Sequence, residues 1–450
     1  MARKVFISFL GTNEYQPVIY TTPAGDISKE PLVFVQEAAI IAHCKGWKQT
    51  DAVMIFRTDR SEARNWIDRP STADPSVMRE GLRSRLEKMR YKMATNPTEG
   101  CKEGYIIPPG FEEDEVWRIF EIVVDKIREG DEIYFDVTHA FRTIPMFATV
   151  LFNYCKYMKK SVVRGIYYGA FEKLGSLEMV KAIPPAERRV PLVDMTSLVT
   201  LQSTNLAASN FMNYGTLGTA GLQIQPTGDY EFDDAIDELN RGLGDLDFYL
   251  QTARLQSIYD GDYMAHIGNS MAELRKASLN RAQLNLLETI ADRLEKYGFD
   301  VDGGYSNIEA AINWLIDYGM IQQAITLVRE YIPYRLTYMV LEQDEYISEE
   351  DEYFSEEDVE DAKDIVNTAL VRGKNYIKKD WKTNAECRNK ALDLLNLPGW
   401  DVLKGAFNNL REIRNDLNHA AESESLSIND YVEKIRHDSK LALSKLNVIV

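Results

Sequence analysis

Three short stretches carry side chains able to act on a ligand or a substrate. In Gly11-Thr12-Asn13 the glycine permits close backbone approach, and the two polar side chains can hydrogen-bond a bound group. Thr138-His139-Ala140-Phe141-Arg142 sets a hydroxyl, an imidazole and a guanidinium just ahead of an apolar helical stripe. A helix N-terminus presents unpaired amides and the positive end of a dipole, so these groups suit a phosphate or nucleotide. The third stretch is Arg411-Glu412-Ile413-Arg414-Asn415-Asp416-Leu417-Asn418-His419. An Arg and a nearby His are chemically sufficient for metal-independent RNA cleavage if two copies meet. The imidazole moves protons between the ribose 2′-OH and the leaving 5′-oxygen, while the guanidinium stabilises the phosphorane-like transition state.

Arg414 needs an explanation for its position. Leu403, Ala406, Phe407, Leu410, Ile413 and Leu417 form an apolar stripe, and Arg414 falls inside it. A charge there is costly unless it is paired or used. A straight helix puts Arg414 and His419 about 140° apart, so either the helix ends or bends near Leu417, or a working site combines two subunits. Plainer readings stay open. Thr138 can cap a helix, His139 can be a satisfied structural histidine, and Arg142 can be a surface residue. Arg414 can pair with an acidic neighbour, leaving His419 on the surface.

The flanking patterns supply the scaffold. Val5–Leu10, Ala52–Phe56, Ile133–Val137 and Val162–Tyr168 are near-continuous apolar runs, as in strands buried on both faces. Between them lie helical stripes. Val116, Phe120, Val123 and Ile127 recur within Glu115–Arg128, which Gly130 is placed to end. Ile144, Phe147, Ala148, Leu151, Tyr154 and Cys155 recur within Arg142–Tyr157, with Pro145 suited to a first turn. Alternating strands and helices predict a parallel sheet, with both candidate ligand loops at strand carboxyl ends, where open sheets bind ligands.

Arg57 to Gly104 predicts an irregular insertion with one helix around Val77–Met93. Pro191-Leu192-Val193-Asp194-Met195 reads as an edge strand or connector. Beyond about Thr196 the pattern is helical almost throughout, with candidates at Glu231–Tyr259, Asn280–Tyr297, Ile308–Tyr318, Met320–Tyr338, Val359–Ile377 and Gly399–Ala420. GxGxxG is lacking after the first strand, where Gly11 stands alone, and GxxxxGK[ST] is lacking anywhere, which disfavours dinucleotide chemistry and P-loop hydrolysis.

The chain of 450 residues suggests two or three domains. Its 45% apolar and 27% charged residues are ordinary for a globular protein. Cys44, Cys101, Cys155 and Cys387 are scattered without a CxxC pair, so neither a disulfide framework nor a metal site is expected. No stretch approaches the roughly 20 apolar residues of a spanning helix, and the apolar start lacks a cleavage site, so the expected compartment is cytoplasmic with no membrane partner. The net charge of −18 argues against broad electrostatic capture of nucleic acid. It is uneven, however: Glu342–Asp364 holds thirteen acidic residues against Lys363, leaving −6 elsewhere. That run reads as a solvated loop or helix face.

Phe6–Tyr15, Asp136–Pro145 and Arg414–His419, taken in order, resemble the CARF–HEPN ribonucleases of type III CRISPR systems. The resemblance implies a Rossmann-like α/β CARF domain over 1–195 that senses a cyclic oligoadenylate. It also implies an all-α region over 196–450, comprising a helical linker and a HEPN domain that cleaves single-stranded RNA as a homodimer. Carried over residue by residue, Gly11, Thr12, Asn13, Thr138, His139 and Arg142, with Phe141 in the same stretch, fall at the ligand loops. Arg414, Asn415 and His419 fit the catalytic motif. A dimer would resolve the angular problem, since two helices facing across a twofold axis share one composite site.

The leading expectation is an antiviral endoribonuclease switched on by a ring of adenylates, with cyclic tetra-adenylate favoured because its twofold symmetry suits a symmetric cleft. The rivals are a non-catalytic sensor whose helical half binds a partner protein or DNA, a CARF pocket that itself cuts the ring, and a Rossmann-like enzyme acting on a mononucleotide.

Overall fold

The computed structural model describes residues 2–71, 75–92, 104–139, 144–218, 221–222, 224, 230–277, 281–342, 356–373, 389, 392–418 and 428–449. The chain divides into two compact units, Met1–Thr200 and Leu201–Val450. Each is described separately.

The first unit is built on an eight-stranded sheet of order β3-β2-β10-β9-β8-β1-β4-β7. Its strands are β1 (Lys4–Phe9), β2 (Ile19–Thr22), β3 (Gly25–Asp26), β4 (Ala52–Arg57), β7 (Tyr105–Ile106), β8 (Glu132–Asp136), β9 (Val162–Gly169) and β10 (Arg189–Asp194); β5 (Arg69–Pro70) and β6 (Met78–Arg79) form a separate ribbon. β1 lies between β8 and β4 and is parallel to both. Its alternating side chains explain the continuous apolar run: Phe6 joins a core on one face with Val53 and Ile55, while Val5, Ile7 and Phe9 join the opposite core with Met54 and Phe56. The helix Val35–His43 covers the first face through Val35, Ala38 and Ala39. The helices Glu113–Lys126 and Ile144–Met158 cover the second through Ile119, Val123, Phe147 and Leu151. At about 25 cal/mol per Å² of buried apolar surface, these two cores are the main force holding the strand ends in place.

The parallel sheet expected from the alternation is present, although two pairings run the other way. β10 is antiparallel to β9, and β3 is antiparallel to β2. The edge-strand reading of Pro191–Met195 is corrected: β10 is internal, bonded to β2 on one side and β9 on the other. The described residues of the insertion after β4 hold more regular structure than the one helix its composition suggests. It contains the turn Glu62–Trp66, the β5–β6 ribbon and the helix Leu82–Lys92, anchored by Trp66 and Leu82 in the core.

The second unit is helical. The stretch expected as one helix from Glu231 to Tyr259 is two, Tyr230–Thr252 and Leu255–Asp260, separated where Ala253 adopts φ 50°. Helices Thr196–Tyr214, Asp262–Lys276 and Ile428–Ile449 complement those anticipated, and Ile321–Glu342 continues through Pro333. Trp400–Asn418 packs against Ile321–Glu342 and Ile428–Ile449 around Leu403, Phe407, Leu410, Leu336 and Leu446. Of the acidic run, Glu342 ends the helix Ile321–Glu342, residues 343–355 lie outside the described residues, and 356–364 enter the helix Glu356–Val371. No described helix is long and apolar enough to cross a membrane.

Candidate functional site

From β1 the chain proceeds by way of Val35–His43 to β4 on one side, and it later returns to the other side of β1 as β8. The strand order therefore reverses between β1 and β8, which opens a crevice at their carboxyl ends. There lies a cleft of ≈ 300 Å³ lined by Gly11, Thr12, Asn13, Thr138 and His139, together with Phe56, Arg57 and Thr58 from the end of β4. The two separate ligand loops expected from the sequence thus meet in one concavity. Phe141 and Arg142 lie outside the described residues, and the helix that follows is described over Ile144–Met158.

The loop conformations rest on buried polar contacts. Asp136, 1% exposed, accepts from Ser8 Oγ at 2.7 Å and, through its other oxygen, from the amide of Thr138 at 3.0 Å and its hydroxyl at 2.5 Å. Gln36 Nε2 donates to Ser8 Oγ and to the Phe9 carbonyl, both at 3.1 Å. Desolvation raises the Asp136 pKa, against the lowering effect of the hydrogen bonds from Thr138 and Ser8. Asp136 therefore joins β1 to the β8 loop and does not face a ligand. The Thr138 hydroxyl also accepts from the Gly169 amide at 2.8 Å, so it braces the loop.

His139 packs edge-on against Tyr15, with ring centroids 4.3 Å apart. The Tyr15 hydroxyl accepts from the Gly11 amide at 2.9 Å, and burial raises its pKa so that it stays protonated. A Cβ on Gly11 would meet Tyr15 Oη at 3.1 Å and His139 Cβ at 3.2 Å, so the glycine is what lets the two loops approach. Burial pushes the His139 imidazole down to about 4. At neutral pH it is an uncharged hydrogen-bonding group. Positive charge comes instead from Arg57, which lies 5.1 Å over the Trp66 ring and 3.4 Å from Glu62.

Several supporting residues were missed by sequence reasoning. Asn65 Nδ2 donates to the carbonyls of Gly11 at 2.8 Å and Asn13 at 2.9 Å, and Arg64 donates to that of Thr12 at 3.2 Å. These contacts span more than fifty residues and have no local signature. Arg57-Thr58 had one, being the first polar pair after the apolar run Ala52–Phe56.

The second unit contains the other candidate. In Trp400–Asn418, Leu403, Ala406, Phe407, Leu410 and Ile413 are buried, whereas Leu417 is 38% exposed. Arg414 and Asn415 are half-buried. The Tyr431 hydroxyl bonds Asp416, and no ion pair engages Arg414 among the described residues. His419 lies outside the described residues, so its relation to Arg414 remains as the sequence left it. Among the described residues no group of three His, Cys, Asp or Glu is arranged to hold a metal ion.

No family model matches the chain. CRISPR-associated protein MJ1674 of Methanocaldococcus jannaschii is 30% identical over 151 residues, which cover 32% of this chain and 22% of that protein. The matched stretch thus spans about a fifth of the relative's length. The structure of Enterococcus italicus Csm6 bound to cyclic hexa-2'-fluoro-hexa-dAMP aligns with 100% of this chain and 94% of its own, at a TM-score of 0.44 and 14% identity.

Proposed function

We propose that the chain is a type III CRISPR accessory endoribonuclease, switched on by a cyclic oligoadenylate at the β1/β8 crevice and cleaving single-stranded RNA at Arg414 and His419. The observation that carries the reading is the convergence of Gly11-Thr12-Asn13 with Thr138-His139 in one cleft. Its backbone amides, neutral imidazole and Arg57 can recognise both a base and a phosphate. The likeness to a CRISPR-associated protein supports the same biological setting.

A cleft of ≈ 300 Å³ is at the small end for an enclosed organic ligand and fits about one nucleotide. A ring of adenylates therefore calls for two such clefts, which supports a homodimer sharing one ring. Met146, Val150, Tyr154 and Tyr157 add an exposed apolar stripe on the helix Ile144–Met158, a face suited to a second copy. In the catalytic step, His419 accepts the proton as the 2′-oxygen attacks phosphorus and the P–O5′ bond breaks, a proton passes to the departing 5′-oxygen, and Arg414 stabilises the extra charge. Asn415 orients this pair. Activation requires only that the ring bind the active arrangement more tightly than the resting one. The lowered pKa of His139 makes it a weak base, which favours sensing over ring cleavage at this cleft.

The binding half is tested by calorimetry with cyclic tetra-adenylate, cyclic hexa-adenylate and AMP. The reading expects a ring to bind at one per two chains, with tetra-adenylate the tighter ring. Equal affinity for AMP and both rings would sink it in favour of a mononucleotide site.

A further inference from the structure

In a chain with a net charge of −18, three guanidinium groups converge on one face of the second unit. Phe407 marks the meridian of that face on Trp400–Asn418. At about 100° per residue, Arg411 and Arg414 fall within roughly 40° of it, one on each side. Arg329 arrives from the neighbouring helix Ile321–Glu342 and places its Cζ 6.0 Å from the Phe407 ring. Its Nε is buried and has no hydrogen-bond partner among the described residues. Burial, and then the nearby Arg414 and Arg411, destabilise the charge on Arg329, against a stabilising effect of Glu330, which is exposed. Such an arrangement is unfavourable in isolation and becomes favourable when a polyanion occupies it.

We propose that Arg329 and Arg411 are phosphate-binding residues that seat the RNA backbone on either side of Arg414. The inference rests on the reading of Arg414 as part of a ribonuclease site and deepens it by naming what holds the substrate. Arg329 supplies a fixed fork on an aromatic platform. Arg411, one turn before Arg414, extends the same track. Neither takes part in proton transfer.

The test is the salt dependence of binding to a 2′-O-methyl single-stranded RNA, which cannot be cleaved. It uses the full chain, with and without saturating cyclic tetra-adenylate. Each phosphate contact on a single strand contributes about 0.7 to the slope of log K against log salt, equivalent to roughly fivefold in affinity at 0.1 M salt. The proposal expects Arg329→Gln and Arg411→Gln each to flatten the slope by about that amount and to raise Kd accordingly. Arg329→Lys should restore the slope in part, because it returns the charge without the planar fork. Thermal midpoints should hold or rise, since the substitutions relieve like-charge crowding.

A structural role alone would lower the midpoint of Arg329→Gln and leave the slope of both variants unchanged. Unchanged slopes under both conditions overturn the proposal, and Arg411→Gln decides the matter should Arg329→Gln fail to fold. A parent protein that binds with the expected slopes yet cleaves no RNA with any ring would leave the phosphate track standing and remove the ribonuclease reading.

Discussion

The depressed pKa of His139 makes a quantitative prediction about how stability changes with pH. In the folded chain burial holds the imidazole near 4, whereas in the unfolded chain it titrates at its ordinary 6.5. Between these values the unfolded state binds the extra proton, so stability rises with pH across the window. The contribution is fully present above pH 6.5 and is lost as pH falls toward 4. The whole depression corresponds to about 3 kcal/mol, of which about 2 kcal/mol is gone by pH 5. Asp136 acts in the opposite direction, because its raised pKa costs stability as pH rises, so the comparison must be a difference between proteins. His139→Phe keeps a ring against Tyr15 and removes the titration. Hydrogen exchange of the β1 and β8 amides at pH 5 and pH 7, corrected for intrinsic rates, reports the opening free energy of this unit alone. The parent should lose about 2 kcal/mol more than the variant between the two conditions. Parent and variant changing in parallel would show that His139 is not desolvated and refute the account of the cleft as holding a neutral imidazole.

Gly11→Ala forces a methyl to 3.1 Å from Tyr15 Oη and 3.2 Å from His139 Cβ, and the two loops must part to admit it. Ring affinity measured by calorimetry should fall at least about tenfold, or 1.4 kcal/mol, while the second unit's exchange is unchanged. Asn65→Ala frees the carbonyls of Gly11 and Asn13, and at about 1 kcal/mol per lost bond the 10–13 loop amides should exchange faster by roughly tenfold or more. Arg414→Ala should reduce RNA cleavage by about a hundredfold or more with ring binding intact. Parental cleavage would remove Arg414 from the site.

The central scaffold was legible because its physics is local. β1, β4 and β8 are apolar at consecutive positions since both faces are covered, and the helices Glu113–Lys126 and Ile144–Met158 carry stripes at helical spacing. The meeting of Gly11 with His139 was legible only as two strand ends of one parallel sheet, and their actual approach depends on Tyr15. Asp136 carried no sign of its bracing role, because that depends on Ser8 being its register partner in the adjacent strand. The region from Arg57 to Gly104 looked irregular since its anchors, Asn65 and Trp66, act across the fold. The break at Ala253 was invisible because neither Gly nor Pro marks it. In the second unit, the place of Arg414 on the apolar face could be read from spacing, but the arrival of Arg329 beside it could not.

The central claim, that a bound ring controls RNA cleavage, is tested most directly with a fluorescent single-stranded RNA and the full chain, supplied with cyclic tetra-adenylate, cyclic hexa-adenylate or no ring. The account predicts slow or no cleavage without a ring and rapid cleavage with cyclic tetra-adenylate, lost in Arg414→Ala. Cleavage at one rate under all three conditions, or none under any, would contradict it.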